Sequence, residues 1–214
     1  MKWTSFFTDY NIPYYIYKLK KEDAIVLNNL NLKNQSIIII YGSIYATKIF
    51  RNKKTLPLAI LKTGNIFHIK HLKHKNLFYY KLIAIEETYI LSFEIDKLKN
   101  KKKITHNFLF HIINSYNNTI QKYEVMSEII NQKYTKKRLI QLILLLCLEF
   151  GIFKDKKVCI PLKMSQKNLS QMISINKNNI NQIIKFLNKD TKIYYSKQKK
   201  FLINDVFQIN INKC

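Results

Sequence analysis

From Asn176 to Lys189 the sequence reads NKNNINQIIKFLNK, with amides and lysines spaced so that a helix would separate them from the apolar residues. At about 100° per residue, with Lys177 as zero, Ile180, Ile183, Ile184 and Leu187 fall within an arc of roughly 240–340°. Lys177, Asn178, Asn181, Gln182, Lys185, Asn188 and Lys189 fall within roughly 0–140° by the same spacing. No carboxylate interrupts that second face. Asparagine and glutamine can pair bidentately with adenine, lysine can reach guanine acceptors or phosphates, and an acidic group there would be repelled. The chemistry these residues suit is contact with the major groove of double-stranded DNA. In a chain so rich in Asn and Lys, a merely solvated helix face is the competing reading.

The flanking residues are those that would hold such a helix in place. Ser165 can cap a short helix whose inward residues are Leu169, Met172 and Ile173, and Ser165 and Gln166 at its start join the expected DNA contacts. Ser174-Ile175-Asn176 then interrupts, and a second helix starts with Asn176 as its cap. Ile175 and Ile180 form a hydrophobic staple across that start. Two short helices joined by so short a turn are a helix-turn-helix. Downstream, Ile193–Ser196 and Phe201–Ile203 alternate like strands around Lys197-Gln198-Lys199-Lys200. A wing of this kind lays its tip on the phosphate backbone, so Lys197, Lys199 and Lys200 are expected to add affinity without reading sequence.

Other constellations are weaker. His68, His71 and His74 recur at steps of three, but no Cys or nearby carboxylate completes a metal set and the surrounding lysines oppose one. Glu86-Glu87 is an adjacent carboxylate pair, and neighbours on a strand point to opposite faces. There is no glycine-rich phosphate loop and no nucleophile-base motif, so an enzyme is not expected.

The chain has 214 residues, 47% hydrophobic, with 37 Lys+Arg against 13 Asp+Glu and a formal charge of +24. That apolar fraction supports a folded core. Only Arg51 and Arg138 are arginines, and Lys, Asn and Ile are the residues an AT-rich genome favours. The charge is spread along the chain, with 14 basic and 4 acidic residues from Arg138 onward, so its size is weak testimony to an anionic partner. Cys147, Cys159 and Cys214 show no paired spacing, which suits a reducing compartment. Met1–Tyr10 does not read as a signal peptide, and the most apolar run, Leu139–Leu148, is about half the length that spans a bilayer, so no membrane is expected.

Short apolar runs separated by turn residues occupy Lys18–Phe93, among them Ser36–Tyr41, Ile44–Phe50, Leu56–Leu61, Leu82–Ile85 and Thr88–Phe93. They suggest a small antiparallel sandwich or barrel. Beyond Asp96 the period lengthens. Ile104, Phe108, Ile112, Tyr116, Ile120, Tyr123, Met126, Ile130 and Tyr134 form one stripe on a long helix over 104–134, with a second copy of the chain expected to cover it; packing on its own domains is the alternative. Arg138–Phe150 reads as a second, mostly buried helix, with Gly151 at its C′ position.

RLIQLILLLCLEFG (Arg138–Gly151) and VCIPLKMSQKNLSQMISINKNNINQIIKFL (Val158–Leu187) resemble the DNA-binding half of the CRP/FNR regulators, in particular the cyanobacterial global nitrogen regulators and their plastid-encoded relatives. The resemblance implies an α+β fold: a β-roll sensor-like domain over residues 1–96, a dimerisation helix over 97–135 and a winged helix-turn-helix domain over 136–214. It also implies a homodimer on palindromic promoter sites, RNA polymerase as a partner, and, with the AT-rich composition, a chloroplast stroma, the alternative being a bacterial cytoplasm. Arginines stand in the family's recognition helix where this chain has Lys177 and Gln182, and a glycine stands in the turn where it has Ser174. The effector of the nitrogen regulators, 2-oxoglutarate, would map to Phe67, His68, Ile69, Lys70 and Glu124, with Thr119 and Leu77 where arginines are expected.

Overall fold

A computed structural model describes residues 3–28, 34–68, 77–99, 104–154, 157–190 and 192–204. The chain divides into two units, Met1–Met126 and Ser127–Cys214. The boundary falls inside the long helix.

In the first unit the short apolar runs form two four-stranded antiparallel sheets. One has the order β1 (Tyr14–Leu19), β8 (Thr88–Glu94), β3 (Gln35–Tyr41), β6 (Ile66–His68). The other has the order β2 (Ala24–Leu27), β7 (Phe78–Ala84), β4 (Ser43–Phe50), β5 (Thr55–Lys62). The run of four isoleucines in β3 does not alternate with polar residues because both of its faces are covered. Ile37 and Ile39 enter a core with Ile44, Leu61, Leu82 and Ile90. Ile38 points the other way, to a second core with Leu91, Phe93, Trp3, Phe7 and Phe108. Gly42 joins β3 to β4 at φ +82°, where a Cβ would strike the Glu87 carbonyl and approach the Thr88 hydroxyl to 2.6 Å, so both conformation and space demand glycine.

That second core is built by helices: α1 (Trp3–Asp9), α2 (Ile95–Lys99) and the first half of α3 (His106–Asn131). Phe108 of α3 is fully buried, with ring centroids of Phe6, Phe7 and Tyr10 at 5.2, 5.8 and 5.6 Å. Further along α3, the Thr119 hydroxyl accepts a hydrogen bond from Ile66 N at 3.0 Å and donates to Ser115 O at 2.8 Å. The Tyr116 hydroxyl lies 3.1 Å from Ser36 Oγ.

These contacts correct the expectation for the long helix. The helix ends at Asn131 and a new one starts at Thr135, so 104–134 is not one uninterrupted element. The expected intersubunit stripe is largely spent within the chain: Phe108, Ile112 and Met126 are buried, and Ile104 and Tyr116 pack against the second core. Ile120 of that stripe stands exposed instead, together with Phe110 and Ile113, which lie outside it. A helix seated on a sheet needs an apolar stripe for that purpose alone, and periodicity does not say which surface a stripe will meet.

In the second unit α4 (Thr135–Phe150) buries Leu139, Ile140, Leu142, Ile143 and Leu146. Its first turn is held by Arg138, whose Nε donates to Gln132 O at 2.7 Å. Gly151 does end α4, but in an extended conformation (φ −64°, ψ 134°) and not the left-handed one expected of a C′ glycine. Glycine is needed because a Cβ would collide with Cys147 O and stand 2.8 Å from the Val158 side chain. A four-stranded sheet follows in the order β11 (Ile193–Tyr195), β12 (Phe201–Ile203), β10 (Lys157–Ile160), β9 (Ile152–Lys154), and it carries α5 (Gln166–Met172) and α6 (Lys177–Asp190). Among the described residues no helix is long and apolar enough to cross a membrane.

Phe108→Ala should lower the stability of the first unit by about 3–5 kcal/mol, because the space it leaves is walled by α1 and the sheet and cannot collapse. Urea denaturation followed by tyrosine and tryptophan fluorescence reads this directly.

Candidate nucleic-acid interface

The helix-turn-helix forms as its caps dictate. Ser165 Oγ accepts from Asn168 N at 3.1 Å and donates to Asn168 Oδ1 at 2.7 Å, so its hydroxyl is committed to starting α5. Asn176 Oδ1 accepts from Asn178 N at 3.3 Å and starts α6. Between the helices Ser174 takes φ +54°, a left-handed conformation that costs a side-chain-bearing residue roughly 1–2 kcal/mol. This is the position where the resembled family has glycine. Inward, Leu169, Met172, Ile173, Ile180, Ile183, Ile184 and Leu187 are all buried. Ile175 is half-buried beside them.

With that face committed, Lys177, Asn178, Gln182 and Lys185 are exposed and Asn181 is half-buried. Asn188 leaves the polar set: its Oδ1 accepts from Tyr195 N at 2.9 Å and joins α6 to the wing. The wing is anchored from its other side as well. The Tyr195 hydroxyl donates to Met164 O at 2.7 Å, and Met164 N donates to Lys199 O at 2.9 Å, which ties the segment before α5 to the wing tip. The tip closes through Lys199 N to Ser196 O and Ser196 N to Lys200 O, both 2.9 Å, with Lys199 at φ +62°.

These ties bring together residues that the sequence holds more than 30 positions apart. Ser165, Gln166, Lys167, Lys177, Tyr195, Ser196, Lys197 and Lys199 line one groove of about 470 Å³. Its four lysines face no carboxylate among the lining residues, so an anion entering it meets only favourable charge. Lys200 is half-buried and lies outside the groove lining. Lys167 was not singled out from the sequence. A signal existed: it stands in the first turn of α5, where a cation opposes the helix dipole and an acidic residue would be favoured, and neither α5 nor α6 has an acid in its first turn.

Of the expected effector residues, Phe67, His68 and Glu124 are among the described ones. Phe67 is buried in the core between the sheets, edge-on to Tyr80 at 5.3 Å. His68 Nδ1 lies 2.9 Å from Ser36 Oγ, which makes a chain with Tyr116. Glu124 is exposed, whereas its neighbour Tyr123 packs against the core, where burial, with Tyr80 and Tyr116 adding, pushes its hydroxyl pKa up. Ile69 and Lys70 lie outside the described residues, as do His71 and His74 of the histidine series.

A β-rich domain of two antiparallel sheets, a long helix and a winged helix-turn-helix with a lysine-lined groove define a DNA-binding protein of the winged-helix class. The comparisons agree. The chain is 31% identical over 204 residues to a protein of Porphyra purpurea named as an HTH-type transcriptional regulator, covering 95% of this chain and 84% of that one. It is 19% identical over 170 residues to the global nitrogen regulator of a Synechocystis strain, covering 78% of this chain and 76% of the relative. Among solved structures, a CooA variant from Carboxydothermus hydrogenoformans matches with a TM-score of 0.70 at 16% identity, over 91% of this chain and 85% of that one. A CRP-family transcriptional regulator of Thermus thermophilus matches with a TM-score of 0.69 at 11% identity, over 89% and 93%. No family model matches the chain. The chain belongs to the family of HTH-type transcriptional regulators that includes the Porphyra purpurea protein, and its fold is that of the CRP-family regulators.

Ser174→Gly relieves the left-handed turn without touching the groove. It should stabilise the second unit by up to about 1 kcal/mol and leave affinity for DNA unchanged. A thermal melt paired with a DNA titration tests both halves.

Proposed function

We propose that the chain regulates transcription as a homodimer on palindromic promoter DNA, with α6 in the major groove and the wing on the phosphate backbone. The observation that carries this reading is the convergence of Lys167, Lys177, Lys197 and Lys199 on one groove beside a helix face free of carboxylate. In this arrangement Lys177, Asn178, Asn181, Gln182 and Lys185 reach base edges. Lys197, Lys199 and Lys200 neutralise phosphates, a contribution that weakens as salt rises. Ser165 and Asn176 act by capping the helices that carry these contacts. Lysine is a point charge without arginine's bidentate fork, so base discrimination is weaker here than a pair of arginines would confer.

The exposed Phe110, Ile113 and Ile120 on α3 support pairing of two copies, and a palindromic site with half-sites about one DNA turn apart calls for two recognition helices. RNA polymerase is the partner the family resemblance suggests. Leu148, Ile152 and Phe153, 86%, 56% and 75% exposed, are an apolar surface that such a partner could cover. Control of nitrogen genes rests on the similarity to global nitrogen regulators. A plastid stroma, in preference to a bacterial cytoplasm, rests on the Lys-, Asn- and Ile-rich composition.

To test the DNA reading, Lys177→Ala combined with Gln182→Ala is compared with wild type on DNA enriched by in-vitro selection and on random DNA. Discrimination should fall by about tenfold or more, with random-DNA affinity falling less. Unchanged discrimination would move the recognition surface elsewhere.

A dicarboxylate effector finds no arginine at the positions where the family resemblance expects them. Of the chain's two arginines, Arg51 stands in the turn between β4 and β5 and Arg138 is bound to Gln132 O, while the Thr119 hydroxyl is engaged on both sides. Calorimetry with millimolar 2-oxoglutarate is expected to give no heat of binding, and a saturable heat would restore the dicarboxylate reading.

A further inference from the structure

On α3 the residues Phe110, Ile113, Asn117, Ile120 and Glu124 recur at steps of three and four. Phe110, Ile113 and Ile120 are 60%, 56% and 50% exposed, and Asn117 and Glu124 are exposed as well. At about 100° per residue all five fall within an arc of about 80°, on the side away from Phe108, Ile112, Ser115 and Thr119. Steps of three and four in one narrow arc make the seam of a two-stranded coiled coil. Phe110, Asn117 and Glu124 hold one set of core positions, and Ile113 and Ile120 hold the other.

The charge pattern says what can lie on this seam. From Ile104 to Gln121 there is no Asp, Glu, Lys or Arg, in a chain whose net charge is +24. An anionic partner would be met by lysines. Another copy of the same basic chain can approach closely only on a surface that carries none. The occupant is therefore a second copy, an assignment that rests on the homodimer reading of the function.

We propose that Asn117 sets the orientation and register of that pairing, its amide hydrogen-bonding to the same residue of the second copy across the two-fold axis. Among the described residues the Asn117 side chain has no hydrogen-bond partner, and flanked by Ile113 and Ile120 it would be closed off from water on pairing. A buried amide left unpaired costs about 1–3 kcal/mol, whereas an amide pair satisfies itself. This penalty sorts the alternatives. Sliding one helix by a heptad would set one Asn117 against Glu124, which can accept from it, but the other against Phe110, where its amide is left unpaired. An antiparallel pair centred on Asn117 would satisfy the amides but set Phe110 against Glu124 and Ile113 against Gln121, burying a carboxylate beside an aromatic ring. Only the parallel, in-register pair stacks Phe110, Ile113 and Ile120 each on its own copy. In that pair Glu124 also meets its own copy, and the like charges end the seam one turn beyond Ile120.

The full-length chain carrying Asn117→Cys, mildly oxidised and digested, should yield a disulfide joining two copies of residue 117 by mass spectrometry. Asn118→Cys, about 100° round the helix, should not. Asn117→Ile should tighten self-association about tenfold and allow species other than the single dimer, since isoleucine would then fill consecutive seam positions. A wild-type dimer in which residue 117 does not cross-link to itself would overturn the proposal. So would an Asn117→Ile protein that forms the same single dimer with unchanged affinity. A wild-type chain that sediments as a monomer both free at micromolar concentration and on DNA would instead remove the dimer reading on which the proposal rests.

Discussion

The rotation of α3 about its own axis is the constraint on which the first unit turns. Phe108 and Ile112 enter the core that α1 shares with the sheet, and Thr119 bonds a backbone amide of β6. With those groups committed inward, Phe110, Ile113 and Ile120 have no choice but to face out. The helix is thus apolar on two sides for two different reasons. Interior packing accounts for one; the other is uncovered, and lies on the longest charge-free stretch of a strongly basic protein.

The second unit solves a different problem, which is to hold a polar helix face outward with its side chains free. The buried residues of α5 and α6 supply the holding force, and the caps at Ser165 and Asn176 decide where each helix begins. Ser174 accepts a left-handed backbone to keep the turn short. Asn188 and Tyr195 give up their polar groups to fasten the wing, and the wing in turn carries Lys197 and Lys199 to the rim of the groove opened by Lys167 and Lys177. The net charge of +24 has little bearing on this. Four lysines meeting across three elements create the local field, whereas most of the basic residues lie elsewhere on the chain.

Arginine is nearly absent, and the structure shows what the two that exist are for or near. Arg138 closes the turn between α3 and α4 by binding the Gln132 carbonyl, a role in which a rigid donor fork is well suited. No arginine lies on the recognition helix, so lysine and amide chemistry must carry whatever base preference the protein has.

The amphipathic face of α6, the caps, the turn and the wing were legible in the residues because each depends on contacts within a few positions, where residue type governs geometry directly. The antiparallel strands were legible too, although the isoleucine run of β3 hid that its two faces serve different cores. Three features were not legible, for a common reason. Which stripe of α3 meets its own sheet, the extended backbone at Gly151 and the membership of Lys167 in the groove each depend on atoms far away in sequence: Phe7 and Phe93 for the helix, Val158 for the glycine, Tyr195 and Lys199 for the lysine. Residue order sets the periodicity and the chemical types. Which of two apolar faces is inside, and which distant lysines share one groove, is settled when packing chooses among surfaces that the periodicity leaves equivalent.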